Sequence, residues 1–93
     1  MNREELAGKV AETTGMTKSD ALKAVNAVID CIMSAVRLGT SVRIVGFGTF
    51  SRAYREARDG HNPRTGQRIN IPGRYFPKFK AGAPFRDSVN EDA

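Results

Sequence analysis

The sequence predicts an α+β fold: an N-terminal helical hairpin, a three-stranded antiparallel sheet with a long protruding β-ribbon arm, and a short C-terminal helix. Apolar residues recur at steps of three and four through residues 1–40, which is the period of a helix. From Ser41 the period changes to two, which is the period of a strand. Residues 59–66 are turn-forming and almost free of apolar bulk, and they separate two basic strand-like runs, so they predict the tip of the arm.

Capping residues predict the bounds of the two helices. Asn2 caps the first helix, with Glu5 at the capping-box position, and Gly15 ends it. Thr17 caps the second helix, and Gly39 is its C-terminal stop. The second helix is apolar over a wider arc than the short first helix could cover. It therefore needs a sheet, a partner chain, or both.

The glycines after the second helix predict a reversal between two strands. Gly46 and Gly48 flank Phe47, a spacing that suits a tight turn. A dinucleotide-binding loop is not supported, because Ser51 occupies the third glycine position and no helix follows. Residues 50–58 alternate but have no fully apolar face beyond their first positions, so this strand is expected to leave the body of the domain.

The chain is predicted to return along the arm after the tip. Residues 67–71 resume the alternation and are predicted to pair back along residues 53–58. Pro72 lacks an N–H and is expected to interrupt the pairing. Phe76 and Phe79 are then expected to re-enter the core.

The length predicts one domain over residues 1–93. Residues 1–40 form a helical dimerisation base, residues 41–82 form the sheet and arm, and residues 83–93 form the C-terminal helix and tail. A chain this short buries only about 60 to 65% of its unfolded surface, so its core is marginal alone. A twofold dimer interface would bury the apolar faces that one chain cannot cover.

Several classes of function are poorly supported. The one histidine, His61, lies in the polar turn, and no second histidine assists Cys31 or a serine, so we expect no enzyme, metal site, cofactor or small-molecule substrate. Cys31 lies within the second helix and is expected to be a small buried hydrophobic residue. A lone cysteine, acids near the N-terminus and the lack of an apolar run of about 20 residues together predict a cytoplasmic protein without membrane contact.

The positive charge is concentrated in one part of the chain. Residues 1–40 have five basic and five acidic side chains and sum to zero, whereas residues 41–80 have nine basic side chains against two acids. Residues 81–93 carry a net charge of −2. A neutral scaffold joined to a strongly basic segment favours a polyanion-binding surface, although a solvated basic face alone would give the same totals.

The basic side chains of the arm are almost all arginine. The arm arginines are Arg52, Arg55, Arg58, Arg64, Arg68 and Arg74. Arginine binds phosphate bidentately and enters narrow minor grooves. Edge strands also carry charge to block aggregation, but that role predicts lysine mixed with acids. The arginine-rich, acid-poor run therefore favours nucleic-acid binding.

Pro63 lies at the exposed tip of the arm. On composition alone it most simply sets the turn between Asn62 and Arg64. A proline ring at the tip of a basic arm can also act as an apolar wedge between base pairs.

Taken together, these residues resemble the bacterial HU and integration host factor family of histone-like DNA-bending proteins. The resemblance covers essentially the whole chain. It rests on Gly46-Phe47-Gly48-Thr49-Phe50, Gly60-His61-Asn62-Pro63-Arg64-Thr65-Gly66, Ile69-Asn70-Ile71-Pro72, Phe79-Lys80-Ala81-Gly82 and Asp87-Ser88-Val89-Asn90.

The resemblance implies an intertwined homodimer, or a heterodimer with a paralogue, whose two arms embrace double-stranded DNA in the minor groove. Pro63 would be the intercalating wedge. The DNA-binding residues that we predict are Arg52, Arg55, Arg58, His61, Asn62, Pro63, Arg64, Thr65, Arg68, Arg74, Lys78 and Lys80. The predicted dimer core is Phe47, Phe50, Phe79, Ile32 and Val36.

The function favoured by the sequence is therefore that of a non-enzymatic, nucleoid-associated protein that bends DNA with low sequence specificity. Two alternatives concern the ligand: a site-specific subunit like those of integration host factor, and an RNA-binding protein. A third is a protein-interaction module whose basic arm binds an acidic partner.

Overall fold

The computed structural model describes residues 1–91 and has the predicted order of helices and strands. The elements are α1 (Arg3–Thr14), α2 (Lys18–Arg37), β1 (Val42–Ile44), β2 (Gly48–Arg55), β3 (Arg58–His61), β4 (Arg68–Ile71), β5 (Arg74–Ala81) and α3 (Ala83–Ser88). The predicted tail extends to residue 93, and its last two residues lie outside the described part of the chain.

The helical hairpin begins and ends where the capping residues predict. The Asn2 side chain accepts a hydrogen bond from the Glu5 amide at 2.8 Å, and the Thr17 hydroxyl accepts one from the Asp20 amide at 3.1 Å. Each bond satisfies one of the free N–H groups at a helix N-terminus. Gly15 ends α1 in the left-handed conformation, with φ of 76°.

Strands β1, β2 and β5 form one antiparallel sheet with β2 in the centre. A tight reversal joins β1 to β2, with the Phe47 amide donating to the Ile44 carbonyl at 3.0 Å and Gly46 at φ of 83°. The β2–β5 ladder runs from the Gly48–Ala81 pair to the Arg55–Arg74 pair. The predicted three-stranded antiparallel sheet is therefore confirmed.

The arm continues beyond this sheet as a second ribbon of β3 and β4. The prediction that residues 67–71 pair with residues 53–58 was wrong, because β4 pairs with Arg58–His61 and residues 53–55 pair with β5. The turn at the tip makes His61 and Arg68 the first pair, and a hairpin's register follows from its turn. The expected interruption at Pro72 is present. It leaves two residues unpaired on each side of the arm, so the register is the same before and after it.

The molecule is elongated because the arm projects from the helical base. Its extents are 57 × 32 × 29 Å and its radius of gyration is 18.8 Å, against about 12 Å for a compact chain of this length. Among the described residues, Ala7 and Ala21 are the only buried hydrophobic ones. The helices and sheet of a single chain therefore leave most of their apolar surface open.

Part of that open surface is an apolar groove between α2 and the β2–β5 ladder, with a volume of about 1080 Å³. Four of the five predicted dimer-core residues line it: Ile32, Val36, Phe50 and Phe79. The fifth, Phe47, packs against Phe79 with ring centroids 5.4 Å apart and remains 41% exposed.

Two expectations about the core were wrong for the single chain. Cys31 is exposed rather than buried, because α1 and the sheet leave its part of α2 uncovered. Phe76 and Phe79 do not enter one core together, because an odd spacing along a strand places their side chains on opposite faces.

Candidate nucleic-acid interface

The tip of the arm is a turn held by its own hydrogen bonds. The Asn62 amide donates to the Gln67 carbonyl at 2.8 Å, and the Gly66 amide donates to the Asn62 carbonyl at 2.7 Å. Gly66 has φ of 70°, a backbone conformation that is strained in residues with a side chain. The tip is shorter than the predicted residues 59–66, because residues 59–61 belong to β3.

Asn62 uses its side chain to shape this turn. Its Oδ1 atom accepts a hydrogen bond from the Arg64 amide at 2.9 Å, which forms an Asx-turn around Pro63. The Thr65 hydroxyl likewise accepts a bond from the Gln67 amide at 3.3 Å. Pro63 and Arg64 are exposed at the end of the arm. Among the predicted DNA contacts at the tip, Asn62 and Thr65 therefore hold the turn, whereas Pro63 and Arg64 are exposed by it.

The outer ribbon, β3 with β4, presents a mixed surface. The pairs Arg58–Ile71 and His61–Arg68 lie on opposite faces of it. The Arg68 guanidinium lies 3.8 Å from the Asp59 carboxylate, and both side chains are more than 70% exposed. An ion pair that open to water is weak, so Arg68 remains able to exchange this partner for a phosphate.

The sheet places five basic residues on one face. The pairing aligns Arg43 with Thr49 and Lys80, Ser51 with Lys78, and Arg55 with Arg74, and paired residues share a face. The basic face is therefore formed by Arg43, Arg55, Arg74, Lys78 and Lys80. The other residues that share this face in the described strands are Thr49, Ser51, Ala53 and Phe76, none of which is acidic.

Arg43 is the member of the basic face that our sequence reasoning missed. It lies in β1, outside the arm. The signal was present in the sequence, because the apolar residues Val42 and Ile44 alternate with Arg43 and alternate residues of a strand point to opposite faces.

Arg52 is the predicted contact that the structure separates from the others. It lies on the opposite face of β2, the face of Phe50 and Phe79. Its Nη1 atom donates to the Arg37 carbonyl at 3.3 Å, and its guanidinium carbon lies 4.1 Å from the centroid of the Tyr75 ring.

The remaining predicted residues come together in two groups. Arg58, His61, Asn62, Pro63, Arg64, Thr65 and Arg68 lie on the outer ribbon and its tip, and Arg55, Arg74, Lys78 and Lys80 lie on the basic face. Within residues 1–91 the ion pairs join Arg68 to Asp59 and Arg86 to Asp87, so the basic face takes part in neither. A row of unpaired cationic donors is suited to binding a chain of phosphates.

The described residues also bear on metal binding and on membrane insertion. No group of three histidine, cysteine, aspartate or glutamate side chains there could hold a metal ion. The helices of this part of the chain also lack the combination of length and apolar character that crossing a membrane requires.

Comparison with known proteins places this geometry in a family. A family model described as bacterial DNA-binding protein matches residues 1–90. The chain is 48% identical over 89 residues to DNA-binding protein HU of Geobacillus stearothermophilus, covering 96% of this chain and 99% of that protein.

Solved structures show the same likeness in three dimensions. The Anabaena HU–DNA cocrystal structure superposes with a TM-score of 0.93 at 41% identity, covering 98% of this chain and 99% of that one. HU from Thermotoga maritima superposes with a TM-score of 0.67 at 28% identity, covering 97% of this chain and all of that one.

Proposed function

This chain belongs to the HU family of bacterial DNA-binding proteins, and from that membership we propose that it acts as a dimer that bends double-stranded DNA with low sequence specificity. It is an architectural DNA-binding protein and not an enzyme.

The observation that carries the proposal is the basic face. Five cationic side chains share one side of the sheet without an acid in the described strands. Water solvates such a row of like charges, but the charges repel one another. A phosphate backbone along the row would neutralise them, and the counterions condensed on the DNA would be released. We therefore assign phosphate contacts to Arg43, Arg55, Arg74, Lys78 and Lys80.

A second copy of the chain is the proposed occupant of the apolar groove. The aromatic rings beside the groove are exposed in one chain, at 41% for Phe47 and 42% for Phe79. Open aromatic surface of this kind usually marks an interface. A twofold dimer would bury both grooves at once and would carry two arms on one body. Ile32 and Val36 would supply the helical side of that core.

The arms are proposed to bind in the minor groove with Pro63 as the wedge. Pro63 is exposed at the end of the arm, and the Asx-turn of Asn62 fixes the backbone around it. Inserting a ring between base pairs costs a few kcal/mol of unstacking, which phosphate contacts along a bent duplex would offset. Arg58, His61, Arg64 and Arg68 flank this position.

Low specificity follows from the kind of donors at the interface. Arginine and lysine on a sheet face would contact phosphates, which carry no sequence information. The amide oxygen of Asn62 is already used by the Arg64 amide at 2.9 Å, so it is less free to read a base edge. We expect a nucleoid-associated protein that binds many sites, in preference to a site-specific subunit of a heterodimer or an RNA-binding protein.

The test measures binding and bending together. Purified protein is titrated onto linear, nicked and pre-bent random-sequence duplexes, a defined-sequence duplex and duplex RNA, at several salt concentrations, with donor and acceptor dyes on the duplex ends. We expect DNA binding with a log–log salt slope steeper than about −2, which several phosphate contacts require. Preference for RNA, or for one sequence over random DNA, would contradict the proposal.

Pro63→Ala tests the wedge in the same assay. Because the phosphate contacts remain, the variant should keep most of its affinity, but it should bend the duplex less. Pro84→Ala, at the start of α3 and far from the arm, is the matched control and should bend like the wild type. Equal bend angles for Pro63→Ala and wild type would remove the wedge from the proposal.

A further inference from the structure

Arg52 lies where the arm joins the body of the protein. It is in β2, opposite Pro77, and its side chain points to the same face as Tyr54 and Tyr75. Tyr75 is the second residue of β5, directly after the interruption that separates the two ribbons. Arg52 is therefore next to the point from which the outer ribbon departs.

The first contact of Arg52 is with the C-terminus of α2. Its Nη1 atom donates to the Arg37 carbonyl at 3.3 Å. The last carbonyls of a helix lack partners within the helix and carry its negative dipole end, so a guanidinium there is favourable. Gly39, at φ of 88°, makes the necessary room, because a Cβ atom at that position would lie 3.1 Å from Nη2 of Arg52.

The second contact of Arg52 is with the root of the arm. The guanidinium carbon lies 4.1 Å from the centroid of the Tyr75 ring, within the range of a cation–π interaction. The Tyr75 ring in turn lies 5.0 Å from the Tyr54 ring, at an interplanar angle of 59°. One planar side chain thus joins a helix terminus to an aromatic pair that spans both strands of the arm.

We propose that Arg52 is a positioning residue for DNA bending: it fixes the direction in which the arm leaves the body. The inference rests on the proposed function, because the direction of the arm matters only if two arms must embrace one duplex. It replaces the expectation that Arg52 contacts phosphate. The side chain faces α2, away from the basic face, and one of its N–H donors and its flat surface are engaged within the chain.

The experiment separates positioning from phosphate contact by comparing Arg52→Gln with Arg55→Gln. Both changes remove one arginine charge from β2, but Arg55 lies on the basic face. Arg55→Gln should make the salt slope shallower by about 0.9 for each protomer, because a phosphate contact is lost. Arg52→Gln should leave the slope unchanged, and it should reduce the bend angle measured by energy transfer. A slope change for Arg52→Gln equal to that for Arg55→Gln would overturn the inference.

Arg52→Lys separates the two roles again. A lysine would keep a phosphate contact, but it lacks the planar group that stacks on Tyr75. We expect Arg52→Lys to bend DNA as poorly as Arg52→Gln. Wild-type bending by Arg52→Lys would overturn the inference.

The tyrosines provide a readout that needs no DNA. The chain has two tyrosines and no tryptophan, so the tyrosine band of its near-ultraviolet circular dichroism reports on this cluster alone. Arg52→Gln should change that band, whereas Arg55→Gln should not. An unchanged band in Arg52→Gln would overturn the contact itself. Failure of the wild type to bind or bend DNA would instead reject the proposed function, and the band would still test the contact.

A second pair of variants applies if Arg52→Gln does not fold. Tyr75→Phe keeps the ring under the guanidinium and should bend DNA like the wild type. Tyr75→Leu removes the ring and should reduce the bend at an unchanged salt slope. Equal bending by the two Tyr75 variants would contradict the role of the ring.

Discussion

The side chains of the β2–β5 ladder alternate between two faces, one mainly aromatic and the other mainly basic. On the face toward α2, Phe50 and Phe79 pack with ring centroids 4.8 Å apart beside an open apolar groove. On the other face, paired positions bring Arg55 beside Arg74, in the same row as Lys78 and Lys80. One face lacks an apolar partner, and the other lacks an anionic one.

Under the proposed function, one face of the ladder serves assembly and the other serves DNA binding. Because alternate residues of a strand point to opposite sides, a substitution on one face leaves the other face in place. We therefore expect variants of the aromatic cluster around Phe50 and Phe79 to change assembly and stability, and variants of the basic face to change the dependence of DNA binding on salt.

Phe79→Ala is expected to have the largest effect. Its ring contacts those of Phe47, Phe50 and Phe85, with centroids 4.8 to 6.4 Å apart, and it lies beside the proposed partner. Removing a core phenylalanine costs about 3 kcal/mol or more of unfolding free energy. Chemical denaturation and sedimentation should show a less stable protein that dissociates at higher concentration.

The control for this variant is Ile69→Ala on the outer ribbon. Ile69 is 43% exposed in the single chain, against 42% for Phe79, so the two side chains differ in location rather than in exposure. The control should dissociate like the wild type. Equal dissociation of the Phe79 and Ile69 variants would mean that the groove is not the dimer interface.

The double change Lys78→Gln with Lys80→Gln is expected to weaken DNA binding without affecting assembly. Affinity should fall roughly tenfold, about 0.7 kcal/mol from each position, and the salt slope should become shallower by about 0.9 for each lost phosphate contact. The loss should be the same on all DNA sequences, which competition between random duplexes would check.

The matched control exchanges two lysines of the helical hairpin, Lys9→Gln with Lys23→Gln. This variant has the same net charge as the double variant of the basic face, but its changes lie in α1 and α2. If its salt slope changed equally, total charge rather than the basic face would determine binding.

Asp59→Asn is expected to have the smallest effect. Its carboxylate lies 3.8 Å from the Arg68 guanidinium in an exposed ion pair, so stability should change by less than about 0.5 kcal/mol. DNA binding should become roughly twofold tighter, because the arm loses a negative charge and Arg68 loses a competing partner. Weaker binding, measured by titration at low salt, would show that Asp59 holds Arg68 in its binding position.

Much of the fold was predictable because its signals are local. Asn2 and Thr17 cap the helices through side-chain bonds to residues three positions away, and such short-range bonds are visible as sequence spacing. The projecting arm was likewise predictable from a polar tip between basic strands. The register of the arm was not predictable, because it depends on hydrogen bonds within the tip, such as that from the Asn62 amide to the Gln67 carbonyl.

The candidate site was predictable by residue type more than by face. The arginines of the arm were treated as one set, although Arg52 shares the alternation of Phe50, which was already expected to lie in the core. Arg43 was overlooked for the complementary reason, since it belongs to a short strand outside the arm. In both cases the alternation along the strand assigns the face of the residue, whereas the side of the sheet that α2 covers is a long-range fact that only the structure shows.

The unbroken register of the arm has a consequence for how the protein folds. Pairing begins at His61 with Arg68, seven residues apart in sequence, and extends stepwise to Gly48 with Ala81. Each new pair forms next to one already made, except across the two unpaired residues of each strand at Pro72, so the loop-closure entropy of every step stays small. Hairpins of this kind form in about 1 to 10 μs. In the proposed dimer, filling the apolar groove requires an encounter between two chains. The arm should therefore be ordered early, and the concentration of protein should control the rate of the last step.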